Sequence, residues 1–176
     1  RHFFELARRE FYRARRYSTP LSLLMLDMDD LKLVNDSYGH QTGDLLVEFI
    51  GNQCRSQLRQ VDIPARYAGD EFIIALPETA LAGAVQVAMR IRERIAAGFF
   101  VDGINLIPAF VTIGVSELDA SCSSLETLIN HADQALYAAK QAGKNQICTW
   151  NDGLFEMYRS APPAFTNKAN TETAQG

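Results

Sequence analysis

Residues 66–72 have the sequence Arg-Tyr-Ala-Gly-Asp-Glu-Phe and place two adjacent carboxylates at the tip of a predicted β-hairpin. Before this tip, residues 63, 65 and 67 alternate with smaller or polar neighbours, and after it residues 72–76 form a short apolar run. Both flanks are typical of strands, and the Ala-Gly-Asp between them is typical of a turn. Gly69 lets a ligand approach the backbone, so Asp70 and Glu71 beside it indicate a site for a metal or a phosphate ester.

The rest of the chain alternates between helical and strand patterns. Strands are expected on either side of the hairpin tip and at residues 21–26, 105–116 and 146–150. A polar turn is expected from Asp29 to Asp44. Helices are predicted at residues 2–16, 45–58, 80–97 and 123–142. This order predicts an α+β domain with one central, mostly antiparallel, five-stranded sheet flanked by helices.

The composition is that of an ordinary soluble domain. The 176 residues are 47% hydrophobic and 22% charged, which fits a single domain large enough for a core. The net charge of −4 argues against a nucleic-acid polymer as the main partner, although local basic residues and a metal could hold a small anion. Cys54, Cys122 and Cys148 lack a CxxC spacing and indicate buried or free thiols in a reducing compartment.

The chain divides by composition into a domain and a tail. We expect residues 1–150 to form one domain and residues 151–176, rich in Ala, Thr, Asn and Pro, to form a flexible tail. The chain opens inside a helical pattern, so we expect upstream sensor or regulatory domains. No apolar run approaches the ~18 residues of a membrane span, and no signal peptide is apparent. We expect a cytoplasmic segment without membrane contact, whose parent could still be membrane-anchored.

A second group of acids lies where the strand of residues 21–26 ends. Asp27, Asp29 and Asp30 could simply solvate a turn, which is the ordinary role of such a cluster. A metal site instead requires a second acidic group at another strand end, and the hairpin tip supplies one. Carboxylates, water and phosphate oxygens at about 2.0–2.1 Å are the usual ligands of Mg²⁺. Such an ion can activate a hydroxyl group and neutralise a leaving pyrophosphate.

Three motifs, in this order, resemble those of one family. Residues 27–44 (DMDDLKLVNDSYGHQTGD) resemble the D-x-D-x-F-K-x-x-N-D-x-x-G-H-x-x-G-D block of GGDEF domains, and residues 68–72 resemble the motif that names the family. Residues 133–145 resemble its closing A-D-x-A-L-Y-x-A-K…G-[RK]-N motif. The resemblance extends from Arg1 to about Ile147. It implies a nucleotide-cyclase or polymerase-palm-like fold with a ferredoxin-like core, and the activity of a diguanylate cyclase, which joins two GTP molecules into cyclic di-GMP.

The resemblance also implies a metal site and catalytic residues. Asp27 and Asp70 would bind Mg²⁺, which Mn²⁺ could replace, with the Met28 carbonyl as a third ligand. Glu71 would either orient or deprotonate the attacking 3′-hydroxyl, and both roles stay open. The catalytic residues would be Asp70, Glu71 and Lys32.

Other residues would bind the substrate. Asn35 and Asp44 would bind guanine, since a carboxylate that accepts from the ring N–H and the exocyclic amine rejects adenine. Backbone N–H groups at Asp30 and Leu31 would bind phosphates, and Ala68 and Gly69 would form the turn beside the nucleotide. The triphosphate would be neutralised by basic side chains: Lys32, Lys140 and Lys144. The last two are four residues apart, as on one helix face.

The family arrangement places one GTP on each of two facing subunits, so the resemblance implies an active homodimer. Arg59-Gln60-Val61-Asp62 matches the R-x-x-D inhibitory site of many such domains. Arg59 and Asp62 would bind cyclic di-GMP as product and inhibitor, and Arg90 would complete the site from a second subunit.

The chain departs from the family pattern at three positions. Ala68 replaces the usual first Gly, which costs about 1 kcal/mol or more if φ is positive there and little if φ is negative. Lys144 stands where Arg is commoner; it keeps the positive charge but lacks the paired N–H donors with which a guanidinium group binds a phosphate. Leu31 replaces Phe.

Two alternatives to a cyclase remain. The first is a degenerate GTP- or cyclic di-GMP-binding module, which Ala68 keeps open. The second is a polymerase-palm-like domain acting on nucleic acid, which the acidic balance and the guanine-binding pair disfavour.

Overall fold

The computed structural model describes residues 2–151 and 153–158. Its helices are α1 (His2–Tyr17), α2 (Leu31–Tyr38), α3 (His40–Ser56), α4 (Leu81–Ala96) and α5 (Leu125–Gln141). Its strands are β1 (Leu21–Met28), β2 (Ile63–Ala68), β3 (Glu71–Pro77), β4 (Phe99–Asp102), β5 (Asn105–Pro108), β6 (Val111–Glu117), β7 (Ile147–Asn151) and β8 (Leu154–Tyr158).

The main sheet confirms the predicted fold class, with six strands in the order β2-β3-β1-β6-β7-β8. Every neighbouring pair is antiparallel except β6 and β7. The prediction of five strands missed β8. The single strand expected at residues 105–116 is two strands, and β5 pairs with β4 in a separate two-stranded sheet. Pro108, which has no N–H to donate to a ladder, ends β5.

The sheet is buried on both faces because apolar residues of β1 point to both sides. Leu24 and Leu26 pack against α3 and α4 in one core, which also contains Ile50 and Ile91. The intervening residues of β1, such as Leu23, point to the other face and pack against α1 and α5 in a second core. The large side chains of this core include Phe11, Met25, Ile73 and Leu128. The central strand therefore reads as a continuous apolar run, whereas a half-exposed strand would alternate.

The expected polar turn from Asp29 to Asp44 is wrong, because this stretch forms α2 and the start of α3. Helix α2 has only eight residues and none is fully buried, although Leu31 and Val34 pack against the core, so its apolar pattern was too short to indicate a helix. Gly39, with φ 89°, separates the two helices. Glycine enters this left-handed region without the steric cost that a side chain would add.

Helix α5 lies unusually close to β6 at Gly114. A Cβ added there would meet the backbone of α5, namely the Ala132 carbonyl oxygen and the Leu136 amide nitrogen. The missing side chain lets α5 pack directly on the sheet. This close contact sets the distance between α5 and the sheet. It thereby also sets the position of Lys140, which lies near the C-terminal end of α5.

Part of the expected tail is ordered. Residues 154–158 form β8, with Phe155 opposite Trp150 in β7, because the edge of β7 offers an unpaired ladder to the returning chain. The rest of that tail, residues 159–176, lies outside the described residues.

All three cysteines are buried free thiols, as predicted. Burial raises the pKa of Cys54 to about 12 and that of Cys148 to about 11. Within the described ranges, no helix has the length and apolarity needed to cross a bilayer.

Candidate active site

The two acidic groups meet at one edge of the sheet because of strand register. Asp27, near the end of β1, lies opposite Glu71 at the start of β3. On its other side Asp27 lies opposite Thr112 of β6. The Met28 amide donates to the Asp70 carbonyl at 3.4 Å, which ties the hairpin tip to the end of β1. The backbone thus brings the strand-end acid and the hairpin acids to the same place.

Lys140 provides the positive charge of this edge. Its Nζ lies 2.8 Å from Asp27 Oδ2, and the Asp27 side chain is nearly buried. Burial raises the pKa of Asp27 above its ordinary value, and the hydrogen bond and charge of Lys140 offset only part of the rise. The negative charges of Asp70 and Asp29 raise it further. Asp27 therefore carries an incompletely compensated charge.

Glu71 shares this electrostatic environment. Burial raises its pKa, and the Asp27 charge raises it further, while Lys140 acts in the opposite sense. Among the described residues, three possible metal ligands lie within 4.8 Å of one another at one place, and Asp27, Asp70 and Glu71 are not among them. The carboxylates of these three acids are therefore further apart than that. This loose cluster of Asp27, Asp70 and Glu71 around Lys140 is called the catalytic edge below, after the role that we propose for it.

The hairpin turn accommodates Ala68 without strain. Gly69 has φ 46°, whereas Ala68 is not among the residues with positive φ and ends β2 opposite Glu71. The Arg66 side chain donates from Nε to the Gly69 carbonyl at 2.6 Å and fixes the turn. Since only Gly69 occupies the left-handed region, the missing first glycine of the motif costs little.

Asp29 has a role that the sequence did not indicate. It is buried, its Oδ1 accepts from Thr112 Oγ1 at 2.7 Å, and its Oδ2 accepts from the Asn145 amide at 2.9 Å. Burial raises the pKa of Asp29, and these hydrogen bonds offset part of that rise. Asp29 therefore holds the segment after α5 against the sheet. Its spacing from Thr112 and Asn145 in the sequence gave no indication of this network.

Lys144 does not share a helix face with Lys140, and that prediction is wrong. Helix α5 ends at Gln141, and Lys144 and Asn145 follow in left-handed conformations with φ 58° and 44°. The Asp29 network holds this strained turn. Lys144 Nζ then reaches Asp30 Oδ1 at 2.7 Å, and this hydrogen bond raises the pKa of Lys144.

The predicted phosphate turn has an unusual backbone. Asp30 precedes α2 in the left-handed region, with φ 59° and ψ 30°, and makes no side-chain cap for the helix. Alternating left- and right-handed residues direct successive N–H groups to one side, as anion-binding turns do. Lys32 is exposed in the first turn of α2, and the salt bridges recorded for the described residues do not include it.

The predicted guanine residues lie on the two helices after β1. Asn35 packs on Gly43, where an added Cβ would overlap Asn35 Oδ1, so the two helices approach closely at this point. The next residue, Asp44, is exposed and lines a groove of ≈ 540 Å³ between α3 and the hairpin. Phe72, which directly follows Glu71, lines the same groove. Successive strand residues point to opposite faces, so Phe72 and this groove lie on the α3 face of the sheet, whereas Glu71 lies on the α5 face.

The predicted inhibitory residues are engaged with local partners. Asp62 is buried, and its Oδ2 accepts from the Arg59 backbone amide at 2.7 Å, while its Oδ1 is buried without a hydrogen-bond partner among the described residues. The Arg59 side chain donates to Thr79 Oγ1 at 2.9 Å. Arg90 donates to the Gln57 carbonyl at 3.3 Å. Arg59 and Asp62 also line a second groove, of ≈ 790 Å³, beside α1.

Comparisons with known proteins agree on one family. The family model described as "Diguanylate cyclase, GGDEF domain" matches residues 1–146. Diguanylate cyclase A of Treponema denticola is 37% identical over 134 residues, which cover 76% of this chain and 36% of that relative. The GGEEF domain of a diguanylate cyclase from Vibrio cholerae has a TM-score of 0.80 at 33% identity and covers 86% of this chain and 96% of its own. The GGDEF domain of DgcB from Caulobacter crescentus, solved in complex with c-di-GMP, has a TM-score of 0.80 at 27% identity, over 84% and 87% of the two chains.

The chain therefore belongs to the GGDEF family, the diguanylate cyclase domains. This result confirms the family inferred from the three motifs. The match spans 36% of the length of the Treponema relative, so it concerns one part of that longer protein.

Proposed function

We propose that this domain is a Mg²⁺-dependent diguanylate cyclase that acts as a homodimer and converts two GTP molecules into cyclic di-GMP and two pyrophosphates. The observation that carries the proposal is the register of β1 and β3. It sets Asp27 opposite Glu71, with Lys140 2.8 Å from Asp27, while Asp44 lines a groove between α3 and the same hairpin.

The reaction requires positioning and charge neutralisation. The 3′-oxygen of each GTP forms a bond to the α-phosphorus of the other, and the bond from that phosphorus to the bridging oxygen breaks, so pyrophosphate leaves with the electron pair. Glu71 lies at this edge as the group that orients the hydroxyl or takes its proton. Burial and the Asp27 charge raise the pKa of Glu71, which increases its basicity.

The basic residues bind the phosphates. Lys140 is partly exposed and can turn from Asp27 to a substrate phosphate. Lys144 sits beside the N-terminus of α2 through its contact with Asp30, so both can bind the same triphosphate. Lys32 and the backbone N–H groups of Asp30 and Leu31 complete the phosphate site from the other side.

The acidic edge suits a divalent cation. Asp27 and Asp70, with the Met28 carbonyl, would hold Mg²⁺ or Mn²⁺, both of which prefer oxygen ligands. Burial and neighbouring acids keep the pKa of Asp27 raised even with Lys140 in contact, so added positive charge here is favourable. Bound there, the ion would lower the pKa of the attacking hydroxyl and neutralise charge on the leaving group.

Guanine selectivity follows from Asn35 and Asp44. The groove that Asp44 lines is large enough for a purine, and the carboxylate accepts from the ring N–H and the amine of guanine. Adenine would leave that carboxylate without a matching donor, which is the kind of mismatch that sites built on hydrogen bonds reject strongly.

The reaction joins two GTP molecules, and the catalytic edge of one subunit supplies metal and phosphate ligands for one of them. Two subunits are therefore required. An open groove of ≈ 830 Å³ lies beside Glu71 and Lys140 and is bordered by the exposed ring of Tyr137. This side of the edge leaves room for the second nucleotide of a facing subunit.

The test is a forced dimer, made by fusing a coiled coil before α1, incubated with GTP and Mg²⁺ and followed by nucleotide chromatography. We expect cyclic di-GMP from GTP and none from ATP. The monomer should bind GTP without turnover, and an Asp70→Asn forced dimer is the matched control. Retained GTP binding without any cyclic di-GMP would contradict the enzyme proposal and favour the degenerate binding module.

A further inference from the structure

We propose that Asp119, Cys122 and His131 form a Zn²⁺-binding site that is separate from the catalytic edge. The ligand atoms of these three residues all lie within 4.8 Å of one another. Asp119 and Cys122 follow β6, whose other end carries Thr112 at the catalytic edge, so the two sites lie at opposite ends of the same strand.

The donor set and spacing match the geometry of zinc. Bonds of ≈ 2.3 Å to sulfur and ≈ 2.0–2.1 Å to nitrogen, at a tetrahedral angle, place the two ligand atoms about 3.6 Å apart. Cys122 Sγ and His131 Nδ1 lie 3.6 Å apart. Thiolate, imidazole and carboxylate together select zinc over Mg²⁺, which prefers oxygen ligands alone.

The surrounding residues hold the ligands in place. The His131 ring stacks on Trp150 with centroids 4.6 Å apart and an interplanar angle of 17°, which fixes the direction of Nδ1. Asp119 Oδ1 accepts from the Ser121 hydroxyl, the Ser121 amide and the Cys122 amide, and the Cys122 thiol also hydrogen-bonds to this carboxylate. The carboxylate is therefore already in contact with the thiol that would bind the ion, and the loop is formed before the ion binds.

Access and coordination number also fit. Cys122 and His131 are buried, whereas Asp119 is exposed, so the ion enters along the carboxylate. Three protein ligands leave the fourth tetrahedral position for water. Binding deprotonates Cys122, and that proton is released to solvent through the same opening.

The test uses Co²⁺ as a spectroscopic substitute for Zn²⁺ on the whole 176-residue chain. Cobalt bound to a thiolate gives a near-ultraviolet charge-transfer band, which cobalt on the carboxylates of the catalytic edge cannot give. We expect a one-to-one complex with this band, displaced by Zn²⁺ and absent in Cys122→Ser. Cys148→Ser changes another buried free cysteine, in β7, that is not one of the three proposed ligands; it should keep the band and is the matched control.

Asp119→Asn provides a variant that preserves the loop, because the amide oxygen still accepts the Oδ1 hydrogen bonds. We expect its affinity for Co²⁺ to fall by about tenfold or more. Asp70→Asn should bind Co²⁺ at this site unchanged. The proposal is overturned if no charge-transfer band forms, if the band survives Cys122→Ser, or if Asp119→Asn binds as tightly as the parent.

Discussion

The catalytic edge and the R-x-x-D motif differ in what holds their side chains. At the catalytic edge, strand register sets Asp27 opposite Glu71, and the remaining contact, from Lys140, is one that a substrate phosphate can replace. In the R-x-x-D motif, Arg59 binds Thr79 and Asp62 binds the Arg59 backbone amide. The backbone therefore positions the acids of the first site, whereas side-chain and local hydrogen bonds hold Arg59 and Asp62 in the second.

This difference leads us to expect different energetics. The catalytic edge concentrates like charges whose repulsion a cation relieves, so ligand binding there gains free energy directly. The R-x-x-D motif exchanges existing hydrogen bonds for new ones, so its net gain is smaller. We therefore expect cyclic di-GMP to inhibit only after it accumulates.

Asp70→Asn in the forced dimer removes a proposed metal carboxylate without changing the shape of the turn. We expect product formation to fall by about 10²–10³-fold or more. The melting temperature should not fall, because the Asp70 charge raises the pKa of both Asp27 and Glu71 and thus opposes their ionisation. Initial rates and thermal melts check both parts. A variant with unimpaired turnover would remove Asp70 from the catalytic site.

Gly43→Ala tests the guanine pocket. The new methyl group would overlap Asn35 Oδ1 and displace that side chain. We expect GTP affinity to fall by about tenfold, the value of one well-made polar contact. Gly98→Ala is the matched control, since its Cβ would meet its nearest neighbours at ordinary contact distances of 3.7 Å and more. Equal affinities for the two variants, by titration calorimetry, would exclude Asn35 from guanine binding.

Arg59→Ala tests the inhibitory site without removing the hydrogen bond from its backbone amide to Asp62. We expect more product at late times and an inhibition constant for cyclic di-GMP raised by about tenfold. Initial rates should not change. Arg8→Ala removes another exposed, ion-paired arginine, the partner of Glu126, and should leave inhibition as in the parent. An unchanged inhibition curve for Arg59→Ala would refute the assignment.

Lys144→Ala should separate stability from substrate binding. The pair of Lys144 with Asp30 is exposed, so its loss should leave the free energy of unfolding nearly unchanged. The KM for GTP should nevertheless rise severalfold, because a positive charge beside the phosphates is lost. Denaturant titration and steady-state kinetics measure the two effects. A large loss of stability with an unchanged KM would assign Lys144 a purely structural role.

The sequence predicted best where local chemistry and tertiary structure agree. The hairpin at residues 63–77 follows from turn residues between two apolar runs, and the structure forms it as β2 and β3. The α+β class was correct for the same reason. Helix α2 was missed because it is only eight residues long, and its one apolar pair that packs on the core, Leu31 and Val34, is too short a pattern to indicate a helix.

Contacts between distant residues could not be predicted. The Asp29 network joins Thr112 and Asn145, and only the fold brings them together. The left-handed turn at Lys144 depends on that network, which is why a helical spacing from Lys140 was the wrong expectation. Strand β8 likewise depends on the free edge of β7 rather than on its own composition.

The most direct test of the central claim is the stoichiometry of the forced dimer during its initial rate. Pyrophosphate and cyclic di-GMP would be measured in the same samples, with GTP and Mg²⁺ and, separately, with ATP and Mg²⁺. We expect two pyrophosphates for each cyclic di-GMP from GTP, and neither product from ATP. Pyrophosphate release without cyclic dinucleotide, or bound GTP with neither product, would contradict it.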